Sequence, residues 1–284
     1  MSSESPDKHI RLNAQQIGEL VNEFHEHRSQ GKPRASRPAS ERRIEIFLAY
    51  LASGGYYRQV AYTYGVATST ASDYLHEVSD FMMDRAPNYI KLPQPEEYQD
   101  LSSPLTNIGG RVTRVILYID GLIVRIQRPA HAGDAYYCGR AGKACDSINV
   151  QYVVDKRGIV RHVVSGLSGA THDKTAIEWS QEFMDYLDGL PDDVVVLGDP
   201  AYRNLHPRVT TTFTGRNLTR EQQAFNGHCT RLRQIVERSI GATELKWRMD
   251  QHKENRYAAK GGPLFAAKCT ISICALHNHF TNFL

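Results

Sequence analysis

What this chain lacks narrows its class first. None of its five cysteines (Cys138, Cys145, Cys229, Cys269, Cys274) falls in a CxxC pair, and their number is odd. That argues against a disulfide framework or a zinc ribbon and for reduced, buried thiols. No apolar run reaches the roughly 18 to 20 residues that a membrane span needs; the longest, residues 265–276, is interrupted by Lys268 and Ser272. The opening MSSESPDKHI has no apolar stretch of the signal-peptide kind, so the expectation is an intracellular protein. Excess charge is also small. A formal net charge of +3 over 284 residues does not announce a nucleic-acid partner, and any such argument rests on local clusters. With 41% hydrophobic and 23% charged residues, the composition is that of a globular protein with one substantial core and room for a smaller second unit.

What is present includes three acids in telling places. In RLRQIVERSIGATELKWR (231–248), Leu232, Ile235, Val236, Ser239 and Ile240 recur at helical spacing, with Glu237 at the edge of the apolar stripe. Glu237 either reaches inward toward a site or pairs on the surface with Arg233 one turn earlier. Gly241 is expected to end this helix. Upstream, VILYI runs straight into Asp120-Gly121, and VVVL runs into Gly198-Asp199. Such β-branched runs read as buried strands, whose ends are where α/β sheets gather ligands; each Asp alone also suits a turn. Three carboxylates of this kind can hold two Mg²⁺ ions for phosphodiester chemistry.

The ordered blocks YIDG (118–121), NVQYVVDKRG (149–158), SGLSGATHD (165–173), LGDPAY (197–202), FNGHCTRLRQIVERSIG (225–241), LKWR (245–248) and ALHN (275–278) resemble the PIF/Harbinger transposase-derived nucleases of the DDE superfamily. The resemblance runs from Arg111 to the C-terminus. It implies an RNase H-like α/β fold, with Asp120, Asp199 and Glu237 as the catalytic and metal-binding triad. It further implies two Mg²⁺ (or Mn²⁺) ions, DNA as substrate and a Myb-like DNA-binding partner protein. The sequence departs from the family at Leu122-Ile123, where Thr-His is usual, at Ser239-Ile240-Gly241, where Phe-Gly is usual, and in residues 138–148.

Taken in order, residues 1–43 give one helix after an Asn13 cap and then RSQGKPRASRPASERR (28–43), expected as an extended cationic arm. Arg34, Arg37, Arg42 and Arg43 in that arm either follow DNA phosphates or are simply solvated. Residues 44–85 read as a helix-turn-helix-like all-α unit, with Thr68 capping its last helix and Ser69, Thr70, Ser72, Asp73 and His76 outward. Its acidic residues Asp73, Glu77, Asp80 and Asp84 disfavour phosphate contact, so a bundle for dimerisation or partner docking stands beside the DNA reading. Residues 86–110, rich in proline and glycine, read as a connector, and residues 111–284 as the nuclease unit.

Within that unit, residues 147–154 and 159–165 form a hairpin with Asp155 in its turn, and a helix runs from His172-Asp173 to about residue 187, capped by Thr171 or Asp173. His172 and Asp173 are expected to support the site, His172 either orienting phosphate or water or serving the capping turn. Thr219 and Gln222 open the next helix as a capping box. Lys246, Trp247 and Arg248 either bind DNA by charge and stacking or leave Trp247 in the core. The expected protein is a nuclear, oligomeric endonuclease that cuts DNA at transposon ends and joins the 3′-hydroxyl to target DNA. The alternative is a domesticated, non-cleaving DNA-binding protein on the same scaffold.

Overall fold

The structure is a computed structural model and describes residues 10–31, 36–54, 56–130, 132, 134–139, 144–247 and 262–280. Four helices open the chain: α1 (Ala14–Gly31), α2 (Arg37–Ser53), α3 (Tyr57–Thr63) and α4 (Thr68–Tyr89). Asn13 starts α1 as expected: its Oδ1 accepts from the Gln16 amide at 2.9 Å, and Gln16 Oε1 accepts from the Asn13 amide at 3.1 Å. Gly54 stops α2 in the left-handed region at φ 93. Thr68 is the first residue of α4 rather than its cap, a place taken by Ala67 without a side-chain bond.

The expected extended arm is largely helical. Arg28 belongs to α1 and Arg37, Arg42 and Arg43 to α2. Charge pairing explains why: Glu77 of α4 accepts from buried Arg28 Nε at 3.1 Å and from Arg43 Nε at 2.8 Å, and the Arg43 guanidinium lies 3.9 Å over the Tyr74 ring. Two cations on one partly buried carboxylate tie α1, α2 and α4 together.

Residues 90–110 are more ordered than a connector. A 3-10 turn (Pro95–Glu97) and α5 (Tyr98–Leu101) lead into β1 (Ser103–Thr106), which pairs antiparallel with β2 (Val112–Arg125). There follow β3 (Tyr137–Cys138), β4 (Cys145–Val154), β5 (Val160–Ser168), α6 (Asp173–Glu178), α7 (Gln181–Asp188), β6 (Val194–Leu197), a 3-10 turn (Pro200–Tyr202), β7 (Val209–Thr210), α8 (Arg220–Lys246) and α9 (Gly262–Phe280). The single helix expected after His172 is broken into α6 and α7. The carboxyl-side helix α8 runs through Gly241 to Lys246, and the Thr219–Gln222 capping box opens it as expected.

These strands make a mixed sheet. Central β2 is antiparallel to β4 and parallel to β6; β5 continues antiparallel from β4, and β7 parallel from β6. Side chains alternate across it as the pleat demands, except at an irregularity between Val115 and Leu117 that shifts the phase of β2 by one residue. Val115, Tyr118, Val150, Tyr152, Val195 and Leu197 pack toward α8, α9 and the N-terminal helices, while Ile116, Ile119, Val153, Val194 and Val196 pack toward α5, α6 and α7. Phe265 of α9 meets the rings of Tyr50, Tyr57 and His76, so one core joins the N-terminal helices to the sheet. No described helix is long and apolar enough to cross a membrane.

Candidate active site

The sheet sets two acids side by side. Tyr118 of β2 is in parallel register with Leu197 of β6, and two residues beyond each lie Asp120 and Asp199. Asp199 keeps an extended backbone, φ −78 and ψ 176. By the alternation just described both acids continue the row facing α8. Parallel neighbours lie about 4.8 Å apart, so the two strand ends present adjacent carboxylates. Each is held by a local backbone donor: Asp120 Oδ1 accepts from the Gly121 amide at 2.9 Å, and Asp199 Oδ1 from the Ala201 amide at 2.8 Å.

Helix α8 packs across β2 and β4 and carries Glu237, exposed, near enough for its charge to act on Asp120. One turn earlier, Arg233 donates from Nη2 to Asp120 Oδ2 at 3.3 Å, and its buried Nε has no hydrogen-bond partner. Arg233 therefore does not make the surface pair with Glu237 that its spacing allows. Burial raises the Asp120 carboxyl above the ordinary range, Arg233 and the Gly121 amide oppose the rise, and the charges of Asp199 and Glu237 add to it. The three acids thus share one electrostatic neighbourhood, centred on Asp120. Among the described residues, no three His, Cys, Asp or Glu side chains are gathered closely enough to hold a metal ion as they stand.

Behind these strand ends, on the α6 side of the sheet, lies a polar network that pattern reading missed. Asn149 Nδ2 donates to the Thr171 carbonyl at 3.0 Å and to Asp173 Oδ1 at 2.9 Å. Gln151 Nε2 donates to Asp173 Oδ1 at 3.0 Å and to Asn149 Oδ1, and the Tyr202 hydroxyl donates to Gln151 Oε1. Asn149, Gln151 and Tyr202 are almost wholly buried. Burial, with the charges of Asp173, Asp120 and Asp199, pushes the Tyr202 phenol well above its usual value, which keeps it a donor. The missed signal was the stripe Ser147, Asn149, Gln151: alternation marks it as a polar face, which normally meets solvent, but α6 covers it.

Comparison with known proteins bears on what this geometry serves. The model of the DDE superfamily endonuclease family matches residues 119–278, more than half of the chain and a span that contains Asp120, Asp199 and Glu237. The chain belongs to the DDE superfamily endonucleases. It is similar to the protein of Rattus norvegicus named "Putative nuclease HARBI1", 24% identical over 252 residues that cover 88% of this chain and 70% of the relative. The protein of the same name from Xenopus laevis is 25% identical over 84% of this chain and 67% of itself, and that from Homo sapiens is 24% identical over 61% and 49%. No solved structure matches.

The other residues singled out in this DDE endonuclease chain divide sharply. His172 is exposed; it precedes α6 and caps it through its carbonyl, which accepts from the Ala176 amide at 2.9 Å. Neither Thr171 nor Asp173 is the cap, because the Asp173 carboxylate turns back to β4. His172, Asp173, Lys174, Thr175 and Ala201 line a cleft of about 370 Å³. Ser69 is exposed and Thr70 half-buried, but Ser72 is buried and cannot reach DNA, because it lies on the inner face of α4 with Ala71 and Leu75. His76 also turns inward, 4.5 Å from Phe265.

Trp247 is fully buried, which removes it as a base-stacking surface, and Lys246 beside it is half-buried with its ammonium 5.8 Å from the Trp247 ring. Burial lowers the Lys246 pKa. Arg37 bonds Asn22 Oδ1 at 3.1 Å and exposed Arg42 bonds the Tyr64 carbonyl, while Arg43 is committed to Glu77. Arg34 and Arg248 lie outside the described residues.

Proposed function

We propose that this DDE endonuclease cuts DNA at transposon ends by two-metal-ion phosphodiester chemistry and joins the 3′-hydroxyl to target DNA, with Asp120, Asp199 and Glu237 as the metal-binding acids. The observation that carries the reading is the register of β2 with β6, which sets Asp120 and Asp199 on one face under the helix that bears Glu237. The sheet order β5–β4–β2–β6–β7, with three antiparallel strands followed by two parallel ones, supports an RNase H-like fold.

The residues fit hard divalent cations on the chemistry of their donors, which are all carboxylate oxygens, as Mg²⁺ or Mn²⁺ prefers. When bound, two such ions offset the charge that builds on the attacking and leaving oxygens of a phosphodiester. The protein's own contribution is to fix Asp120 and Asp199 through backbone amides, to keep Arg233 at hand as a cation beside Asp120, and to keep both strand ends on a rigid sheet. On this reading DNA meets exposed Ser69 and half-buried Thr70 of a helix-turn-helix-like unit spanning 44–85, together with exposed Arg37 and Arg42 just before it. The wider reading includes a Myb-like partner that supplies end recognition, a homo-oligomer, and action in the nucleus.

The test is cleavage of supercoiled plasmid and of a transposon-end duplex with Mg²⁺ or Mn²⁺. Asp120→Ala, Asp199→Ala and Glu237→Ala should each abolish it, and variants that retain metal-dependent cleavage would exclude the triad. A second reading, a non-cleaving DNA-binding protein on this scaffold, is favoured by one observation: Asp120 is already paired with Arg233. Metal-independent DNA binding without cleavage on any substrate would select it.

A further inference from the structure

Four side chains from three segments, Asn149 and Gln151 of β4, Asp173 of α6 and Tyr202 of the 3-10 turn, meet behind the two strand ends, and their hydrogen bonds close with no spare donor. Gln151 spends both amide hydrogens, on Asp173 and Asn149, and Asn149 spends both of its own, on Asp173 and the Thr171 carbonyl. Tyr202 orients Gln151 by donating to its carbonyl oxygen. Burying two amides and a phenol is costly unless every group is satisfied, and a satisfied network is correspondingly rigid.

The glycines beside the two acids answer to the same network. A Cβ on Gly121 would lie 2.9 Å from Gln151 Nε2 and 3.0 Å from Asp173 Oδ1, and one on Gly198 would lie 2.8 Å from Tyr202 Cδ2. So Gly121, which follows Asp120, and Gly198, which precedes Asp199, are each small because this network presses on them. The attachments match: Gly121 is paired with Gln151 across the β2–β4 ladder, and Tyr202 closes the 3-10 turn that Asp199 caps.

We propose that Asn149, Gln151, Asp173 and Tyr202 are positioning residues: a hydrogen-bonded clamp behind the sheet that fixes the separation of the Asp120 and Asp199 carboxylates on its other face. Its consequence for metal affinity rests on the proposed function; the mechanical claim does not. The clamp acts through the backbone, by holding the Asp199 turn and α6 to β4, whose ladder with β2 pairs Gln151 with Gly121 beside Asp120. Outer-sphere partners of metal-binding carboxylates commonly contribute about 10-fold to 100-fold in affinity.

The experiment compares full-length wild type, Tyr202→Phe and Gln151→Glu, with Tyr118→Phe as control. Tyr118 is a buried tyrosine of the same sheet whose hydroxyl donates to Ser103 at 3.0 Å, away from the clamp. Two readouts are taken on each: Mn²⁺ affinity by calorimetry, and hydrogen exchange at the Gly121 and Ala201 amides, which hold the two acids. Tyr202→Phe is expected to weaken Mn²⁺ binding by about 10-fold and to speed exchange at Gly121 and Ala201, while exchange at Val115 and Val195 stays as in wild type. Tyr118→Phe should leave both readouts unchanged. Gln151→Glu, which sets a second carboxylate against Asp173, should exceed Tyr202→Phe in both. Faster exchange confined to those two amides supports the clamp even if wild type binds no Mn²⁺, a result that would remove the metal reading alone. Unchanged exchange in Tyr202→Phe, or equal changes in Tyr118→Phe, would overturn the clamp.

Discussion

Arg233 reaches from one turn before Glu237 to donate to the Asp120 carboxylate at 3.3 Å. Burial and two neighbouring acids make a bare negative charge at Asp120 unfavourable, and the guanidinium relieves it. A divalent cation at the same carboxylate does the same work, so the two compete. On the proposed function, Arg233→Gln should therefore tighten Mn²⁺ binding to DNA-free protein by about fivefold, the equivalent of about 1 kcal/mol from losing a partly exposed competing ion pair. Calorimetry reads it directly. Weaker binding in the variant would mean that Arg233 holds Asp120 in place instead.

Gly121 inside β2 and Gly241 inside α8 should respond oppositely to alanine. Gly121→Ala drives a methyl into Gln151 and Asp173, and overpacking of this kind costs about 1 to 3 kcal/mol. Gly241 has nothing within 4 Å of where its Cβ would stand and lies inside α8, so Gly241→Ala should stabilise by about 0.5 to 1 kcal/mol. Urea denaturation of both variants checks the pair. A loss of stability in Gly241→Ala would contradict the continuous helix.

Trp247, buried at the end of α8, should behave as a core residue. Trp247→Ala is expected to cost about 3 to 5 kcal/mol and, in whatever fraction remains folded, to leave DNA affinity unchanged. Exposed Arg42→Ala should show the converse, with stability nearly unaltered and DNA binding weakened and less dependent on salt. Denaturation curves paired with fluorescence anisotropy on duplex DNA separate the two. Weakened DNA binding by folded Trp247→Phe would return the tryptophan to the interface.

His277 gives the fold an acid-sensitive point. Burial pulls its pKa down to about 4; the Gly158 carbonyl opposes the fall and Lys246 adds to it. Above the unfolded value of about 6.5 the ring is neutral in both states and costs nothing. As pH drops from there toward 4, the unfolded chain takes up a proton that the folded chain refuses, so stability falls, by about 3 kcal/mol in total. His162, also lowered by burial, contributes with the same sign. Urea midpoints at pH 7.5, 6 and 5 should decline in wild type and decline less in His277→Gln. Equal slopes would show that His277 does not titrate in this window.

Much of the site was legible because its signals are local. Val115 to Ile119 and Val194 to Leu197 are β-branched runs closed by Asp-Gly and Gly-Asp, and they became the strands that present Asp120 and Asp199. The Asn13 and Thr219 caps, the β4–β5 hairpin and its Asp155 turn also read directly, since each is decided within a few residues. What did not read was decided by tertiary packing. Gly241 carries a stop signal, but α8 continues because Ile240 and Thr243 are buried on either side of it. Asn149 and Gln151 have the period of a solvent-facing row and are covered by α6. Arg233 has the spacing to pair with Glu237 and pairs instead with an acid 113 positions away. Arg28 and Arg43 look like an arm for phosphates and are consumed by Glu77.

The most direct test of the three-carboxylate site is calorimetric titration of Mg²⁺ and Mn²⁺ into wild type and Asp199→Asn, each with and without a DNA duplex. The account predicts binding to wild type that DNA strengthens and that Asp199→Asn loses. Metal binding of equal affinity in both proteins, or none in either while DNA binding persists, would contradict it.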